Sequence, residues 1–256
     1  MLKRTGIMSY GLVSYFAFFI SFCYFIAFIG NIWVPKGIDG EATLPLWQAL
    51  LIDSGLILLF AVPHSIMARA SFKRWITQIM PKSIERSTFV LTSSILLTTL
   101  MVFWQPLGGV VWQVENANAV IALYALFGLG TALIFLASFL INHFDLFGLR
   151  QAWLAFINKP YTDLKFSTPF LYKATRHPLY LGFVIMLWAA PVMTVTHLVA
   201  AIFLTTYIVI AIQFEERDLV AHLGDKYREY QKQVPMLVPG IKSKPVENIT
   251  TQSNVT

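Results

Sequence analysis

The sequence predicts an all-α fold: a polytopic membrane helical bundle with four full spans, a C-terminal helical hairpin and a cytoplasmic amphipathic helix. Of the 256 residues, 57% are hydrophobic and only 12% are charged, whereas a soluble domain carries about 25% charged residues. The mean hydropathy is +0.64. The apolar residues gather in uncharged runs of about 20 residues, which is the helix length needed to cross a bilayer.

Four of these runs predict full spans, and each is bounded by a polar or turn-forming segment. They cover residues 8–30, 44–67, 87–104 and 119–141. The first run is much longer than the apolar core of a signal peptide, about 7–15 residues, so we expect it to be retained as a helix. Small residues in the fourth run, including Gly128 and Gly130, permit close contact with a neighbouring helix.

The fifth apolar stretch, residues 179–213, is too short for two full spans, because two straight spans need about 20 residues each. It is interrupted by Pro191 and by polar residues around His197. We therefore expect a hairpin of two slightly short helices, with His197 at an interfacial position near its tip. Such a hairpin brings residues 176–182 and residues 215–219 to the same membrane surface.

The basic residues define the expected orientation. Lys36 is the only one that we place on the outer side, and the others fall at the chain ends, in the connectors 69–86 and 142–175, or beside the hairpin. By the positive-inside rule these segments are cytoplasmic, so we expect both termini inside a bacterial inner membrane. The sequons at Asn248 and Asn254 then lie on the side that is not glycosylated.

Several kinds of site are excluded by the sequence. The net charge of +6 does not indicate nucleic-acid binding, because no basic segment is interleaved with aromatic residues. The one cysteine, Cys23, cannot form an internal disulfide or a multi-thiolate metal site, and no metal centre is expected. The sequence has no glycine-rich phosphate loop and no serine-nucleophile elbow.

An acidic residue, Asp53, lies inside the second predicted span. It is either a functional residue or bonded to a nearby hydroxyl.

Polar residues of distinct chemistry flank the predicted hairpin. His177 and Tyr180 are three residues apart at a helix start, so their side chains share a face. Glu215 and Glu216 end the return helix, where carboxylates oppose the helix dipole. That unfavourable placement favours a role in ligand binding. The alternative is an ordinary interfacial helix start with its polar side chains at headgroup level.

Two other histidines are candidates for proton transfer. His143 and Asp145 lie close together at the cytoplasmic end of the fourth predicted span, where a carboxylate can orient a histidine that accepts a proton. His64 follows Pro63, which kinks a helix and puts His64 at a depth suited to a pocket. The alternatives are a helix-end cluster for the first pair and a capped helix end for His64.

A resemblance to a known superfamily rests on three motifs that occur in order. They are Arg176-His177-Pro178-Leu179-Tyr180-Leu181-Gly182, the pair Glu215-Glu216, and residues 224–235, Gly-Asp-Lys-Tyr-Arg-Glu-Tyr-Gln-Lys-Gln-Val-Pro. Together they resemble the isoprenylcysteine carboxyl methyltransferase and phospholipid methyltransferase superfamily, over about residues 164–239. Residues 142–151, Asn-His-Phe-Asp-Leu-Phe-Gly-Leu-Arg-Gln, resemble the branch that contains methanethiol S-methyltransferase.

The resemblance implies an integral-membrane enzyme that uses S-adenosyl-L-methionine without a Rossmann domain. Residues 1–240 would form one methyltransferase domain, with the cofactor region at 164–239, and residues 241–256 a disordered cytoplasmic tail. The residues implied to hold the cofactor are Tyr172, Arg176, His177, Pro178, Leu179, Tyr180, Glu215 and Glu216. The implied reaction converts a small thiol, methanethiol, to dimethyl sulfide. Because the thiol must lose its proton, we expect His143, oriented by Asp145, to be the base, with His64 in reserve.

One position departs from the prenylcysteine pattern. Those enzymes are expected to carry an arginine just before the acidic pair for the substrate carboxylate, whereas this chain has Gln213 and Phe214 there. The departure is compatible with a small uncharged thiol. The alternatives are a methyltransferase acting on a lipid amine or an isoprenylcysteine-like acceptor, a nonenzymatic membrane protein of the NnrU type, and a transporter. The sequence leaves the oligomeric state open.

Overall fold

The computed structural model describes residues 1–241, so the predicted tail beyond that point and its two sequons lie outside the described residues. The helices are α1 Leu2–Gly30, α2 Leu46–Ala68, α3 Ala70–Ile76, α4 Lys82–Phe103, α5 Ala117–Leu140, α6 His143–Leu146, α7 Leu149–Phe156, α8 Pro178–Trp188, α9 Val195–Leu223 and α10 Asp225–Gln233. A 3₁₀ turn, Phe170–Lys173, precedes α8, and two short strands are β1 Val110–Gln113 and β2 Val192–Thr194.

Within residues 1–241, five helices are long and apolar enough to cross a membrane: α1, α2, α4, α5 and α9. Their outward faces carry large apolar side chains, such as Ile20, Leu51 and Ile121, each about two-thirds exposed at 67%, 68% and 65%. Water contact with such surface costs about 25 cal/mol per Å², so these faces are suited to lipid. The predicted all-α polytopic membrane bundle is confirmed.

The long helices alternate in direction, so the bundle has two ends. One end, which we call the basic end, carries the segments 69–86 and 141–177 together with the C-terminal turns of α9. There, Arg69 after α2 forms an ion pair with Asp218 of α9, with 3.0 Å between Nη1 and Oδ2. The opposite end carries residues 31–45, 104–116 and 189–194.

The hairpin is less symmetrical than predicted. Its first limb, α8, has only 11 residues, whereas α9 has 29. α8 ends before Pro191, which cannot donate a backbone hydrogen bond to continue the helix. α9 continues past Gln213 through the acidic pair and ends at Gly224, which has a positive φ of 60°. The acidic pair therefore lies inside a rigid helix rather than at its end.

A small sheet that the sequence did not predict joins the loops at the opposite end. β1 and β2 pair antiparallel, with Trp112 opposite Met193. The Trp112 indole donates a hydrogen bond to the carbonyl of Ala190 at 3.2 Å. The strands have four and three residues, which is too short for a reliable alternation of apolar and polar residues. The sheet ties the α4–α5 connection to the hairpin tip.

Two buried polar residues stabilise the opposite end. Asp53 accepts a hydrogen bond from the backbone N–H of Gln105 at 2.9 Å, so it caps the chain after α4 rather than bonding to a hydroxyl. His197 is 2% exposed and its Nε2 donates to the carbonyl of Leu187 at 2.9 Å. His197 lies in the first turn of α9 beside the hairpin tip, and its side chain closes the C-terminal turn of α8 from inside the protein.

The short helix α8 packs closely on α5 through two glycines. A Cβ atom added at Gly182 would lie 2.7 Å from the carbonyl oxygen of Gly130, and one added at Gly130 would lie 2.8 Å from the carbonyl oxygen of Gly182. The glycine that ends the Arg-His-Pro motif thus serves a helix contact. This contact fixes the position of α8, and with it the position of His177 and Tyr180.

We expect Gly182→Ala to separate α5 from α8 and to destabilise the protein by about 1–3 kcal/mol, the usual cost of overpacking. Thermal unfolding in detergent measures the effect. Gly128→Ala is the matched control, because a Cβ atom there meets nothing within 4 Å. Equal unfolding temperatures for the two variants would contradict a close α5–α8 contact.

Candidate active site at the basic end

The carboxylate of Glu216 is the centre of a buried polar network. It is fully buried, and Arg176 donates to both of its oxygens, from Nε at 2.6 Å and from Nη2 at 3.2 Å. His177 Nε2 donates to Oε1 at 3.0 Å and Gln231 Nε2 donates to Oε2 at 2.8 Å. Such charge-assisted, bidentate bonds are the strongest that a buried carboxylate can receive. The network joins α8, α9 and α10.

Arg176 also fastens the C-terminal segment to the start of α8. Its Nη1 donates to the carbonyls of Gln231 and Val234 at 2.8 and 2.9 Å, and its backbone N–H donates to the carbonyl of Pro235 at 2.9 Å. The preceding Thr175 hydroxyl bonds the carbonyls of Met236 and Leu237. These contacts satisfy the carbonyls at the end of α10, so residues 225–237 form a strap across the site.

The side chains of Arg176 and Glu216 have no exposed surface. The sequence predicted both as cofactor-binding residues, but their polar atoms bond groups of the protein in this structure. Direct contact with a ligand would require the strap to open. Their observed contacts are those of residues that position the strap and α8.

Glu215, by contrast, is half-buried and partly open. Its Oε2 accepts a hydrogen bond from the Tyr180 hydroxyl at 2.8 Å. Pro178 is buried at the first position of α8, and the half-buried Leu179 packs against the apolar core. Tyr180 and Glu215 thus form a hydrogen-bonded pair of an aromatic ring and a carboxylate that joins α8 to α9.

Tyr172 completes this side of the site. Its hydroxyl donates to the carbonyl of Ala137 in α5 at 3.4 Å, while Tyr230 of α10 donates to the Tyr172 carbonyl. Burial and the negative charge of Glu215 raise the pKa of Tyr172, and burial raises the pKa of Tyr230 to about 12. Both phenols are therefore neutral hydrogen-bond donors at physiological pH.

His143 is held by neighbours that the sequence did not indicate. Ser138 donates its single hydroxyl hydrogen to the carbonyl of Phe135, so its oxygen accepts from His143 Nδ1 at 2.9 Å. The other ring nitrogen, Nε2, then accepts from the Tyr15 hydroxyl at 2.9 Å. Burial lowers the pKa of His143, so the imidazole is neutral.

Asp145 does not orient His143, and that prediction is wrong. The Asp145 carboxylate forms an ion pair with Arg150, with Oδ1 and Nη1 2.8 Å apart, and it accepts from the Tyr161 hydroxyl at 3.3 Å. Asp145 follows Asn142 by three residues in the tight turn of α6, so its side chain points toward the 150–162 connection. Closeness in sequence did not place the two side chains together.

His64 has the more accessible nitrogen. Ser93 donates its hydroxyl hydrogen to the carbonyl of Phe89, so its oxygen accepts from His64 Nδ1 at 3.0 Å. Nε2 is therefore an acceptor, and the described residues supply it with no hydrogen-bond donor. The ring stacks on Phe60 at 5.2 Å. The adjacent Ser65 bonds the hydroxyl of Tyr207 in α9.

Arg86 lies beside these groups and was missed, because the sequence placed it in a connector. α4 begins at Lys82, so Arg86 is in its second turn. Its Nε donates to the carbonyl of Leu146 at 2.6 Å, and its guanidinium lies 4.6 Å from the centre of the Phe89 ring. The His64 ring contacts the same Phe89 ring at 4.9 Å. A basic residue just before an apolar run was the available signal.

Comparison with known proteins places the chain among membrane methyltransferases. The family model described as Protein of unknown function (DUF1295) matches residues 71–234. Methanethiol S-methyltransferase of Crocosphaera subtropica is 51% identical, over 95% of each chain. The protein of that name from Mycobacterium tuberculosis is 48% identical, over 93% of this chain and 98% of its own. Nurim of Xenopus laevis is 28% identical, over 87% and 84%. No solved structure matches.

The fold and the site define a polytopic, all-helical membrane protein whose polar residues converge at one end of the bundle. The relatives make the class more specific. The chain belongs to the methanethiol S-methyltransferase family and is a methyltransferase.

We expect Arg176→Met to loosen the strap, because it leaves the Glu216 carboxylate buried without its cationic partner. Removing one member of a buried pair costs about 3–5 kcal/mol. Thermal unfolding and limited proteolysis within residues 225–237 measure the loss. Arg228→Met is the control, since Arg228 pairs with Asp225 on the surface. Similar effects of the two variants would contradict the central position of the Arg176–Glu216 pair.

Proposed function

We propose that this protein transfers a methyl group from S-adenosyl-L-methionine to methanethiol and so forms dimethyl sulfide. The observation that carries the proposal is the name, methanethiol S-methyltransferase, shared by relatives that are 45–51% identical over more than 90% of the chain. The positive-inside rule supports a cytoplasmic basic end in a bacterial inner membrane. Lys36 alone among the basic residues of the described chain lies at the opposite end.

The residues at the basic end fit a cationic methyl donor. The donor supplies an electrophilic methyl group on a positively charged sulfur. Tyr172 and Tyr180 offer aromatic faces, and cation–π contacts are worth about 0.5–2 kcal/mol each. Glu215 adds a carboxylate beside Tyr180. Pro178 and Leu179 set the start of α8 that carries Tyr180, while Arg176, His177 and Glu216 hold that start against the strap.

Proton removal from the thiol is assigned to His64 rather than to His143. The thiolate is the reactive nucleophile, and an acceptor must be reachable by the S–H group. His64 Nε2 has no donor bonded to it in the described residues, whereas His143 Nε2 is bonded to Tyr15. His64 also neighbours Ser65, which bonds Tyr207 on the helix that carries Glu215.

The position before the acidic pair supports an uncharged acceptor. Gln213 donates a hydrogen bond to the sulfur of Met236 at 3.6 Å, and Phe214 is exposed. Neither side chain supplies the cation that a carboxylate-bearing acceptor would need. Substrate binding then depends on apolar surface and on alignment of the thiol with the methyl group, and such positioning contributes up to about 7–11 kcal/mol to catalysis.

Headspace gas chromatography over purified protein in detergent, given S-adenosylmethionine and methanethiol, tests the proposed function. We expect dimethyl sulfide above a control that contains the Arg176→Met variant or no protein. If the protein binds S-adenosylhomocysteine but forms no dimethyl sulfide, the proposed methyl donor is retained and the acceptor is a larger molecule, such as a lipid amine. Absence of both product and binding would overturn the proposal.

We expect His64→Gln to reduce turnover of methanethiol by about 100-fold or more, the usual contribution of a positioned general base. Its affinity for S-adenosylhomocysteine should remain within about twofold of the original. His143→Gln is the comparison, and it should reduce turnover less while lowering the unfolding temperature. A larger loss of turnover in His143→Gln than in His64→Gln would mean that His143 accepts the thiol proton. Small effects of both variants would mean that the thiol loses its proton to water.

A further inference from the structure

We propose that Arg86 binds the carboxylate of the amino-acid end of the methyl donor, with Glu215 binding the ammonium group of the same end. This inference rests on the proposed function, because it assumes an S-adenosylmethionine donor. It adds a binding residue on α4, outside the segment 164–239 to which the sequence assigned cofactor binding.

The guanidinium of Arg86 is held on one side by two contacts, and its two terminal nitrogens have no partner among the described residues. Its Nε is bonded to the Leu146 carbonyl and its face lies on Phe89, so the side chain keeps one orientation. In the described residues, neither Nη1 nor Nη2 of Arg86 has an acceptor within hydrogen-bond distance. Those two nitrogens form the planar fork that matches a carboxylate.

The charges around Arg86 favour a ligand that carries both signs. Glu215, Glu85 and Asp145 are close enough for their charges to act on the guanidinium. Asp145 is already paired with Arg150, and within residues 1–241 Glu215 forms no direct ion pair with Arg86. Glu215, in the C-terminal turns of α9, and Arg86, in the second turn of α4, are therefore an acidic and a basic group at the same end of the bundle that do not neutralise each other by direct contact.

An α-amino acid has the complementary arrangement. Its ammonium and carboxylate are attached to one carbon atom, so they require a carboxylate and a guanidinium held a short distance apart. The Tyr180 hydroxyl holds Glu215, and Leu146 with Phe89 holds Arg86, so both groups are oriented before binding. Orientation in advance reduces the entropy lost on binding.

The position of Arg86 also connects the donor to the proposed base. The guanidinium of Arg86 and the imidazole of His64 contact the same Phe89 ring. Arg86 and His64 are therefore held in one cluster around Phe89, so the proposed donor-binding residue and the proposed base share a neighbour. The tyrosines of the α8 side would contact the remaining parts of the donor.

Isothermal titration calorimetry with two ligands tests the proposal. The ligands are S-adenosylhomocysteine and its decarboxylated analogue, which keeps the amine and lacks the carboxylate. We expect Arg86→Met to weaken binding of S-adenosylhomocysteine about 10- to 100-fold, the range for charge-assisted hydrogen bonds. Binding of the decarboxylated analogue should be unchanged. Arg74→Met is the matched control, because it removes the same charge from an exposed position at the same end.

Three other results would overturn the proposal in different ways. If Arg86→Met weakens the binding of both ligands equally, Arg86 maintains the structure of α4 and does not bind the donor carboxylate. If Arg86→Met leaves the binding of both ligands unchanged but lowers turnover and shifts its pH profile, the anion that Arg86 binds is the thiolate of the acceptor and not the donor carboxylate. Failure of the unmodified protein to bind either ligand would overturn the proposed function itself rather than the assignment of Arg86.

Discussion

The buried carboxylate of Glu216 is the interaction on which the basic end of this protein depends. It lies about two turns before the C-terminal end of the 29-residue helix α9 and receives hydrogen bonds from α8 through His177, from the preceding residue Arg176, and from α10 through Gln231. An isolated carboxylate in that place would be strongly unfavourable, because burial removes it from water. Tyr227 of α10 donates to the same carboxylate at 3.5 Å. The charge is tolerated only while these neighbours stay in position, so Glu216 makes the ordered strap and the ordered start of α8 depend on each other.

This arrangement divides the acidic pair into two functions. Glu216 points inward and organises the protein, whereas Glu215, one residue earlier on α9, points to a different side and reaches Tyr180. Successive residues on a helix are separated by about 100°, so two neighbouring glutamates face different surroundings: Glu216 faces the buried network, and Glu215 faces Tyr180, where we propose that it contacts the methyl donor. The close Gly130–Gly182 contact fixes α8, and with it Tyr180, against α5.

Sequence reasoning recovered the membrane bundle because long uncharged runs allow few other solutions, and its four predicted spans differ from α1, α2, α4 and α5 by a few residues at their ends. It also brought residues 176–182 and 215–219 to one end.

Sequence reasoning did not recover the side-chain pairing. Asp145 bonds Arg150 instead of His143, and Tyr15, which is distant in sequence, bonds His143. Arg86 was missed because the α4 boundary was placed one turn too late, and the β1–β2 pair because its strands are very short. The division into a domain ending at residue 240 and the site roles other than that of Asp145 stay predictions.

Hydrogen–deuterium exchange with and without S-adenosylhomocysteine tests the central claim most directly, namely that the network around Glu216 organises a donor site at the basic end. We expect the ligand to slow exchange in residues 172–182 and 215–237, and to leave residues 104–113 and 189–197 at the opposite end unchanged. Protection confined to the opposite end, or protection that leaves the strap exchanging at its original rate, would contradict the account.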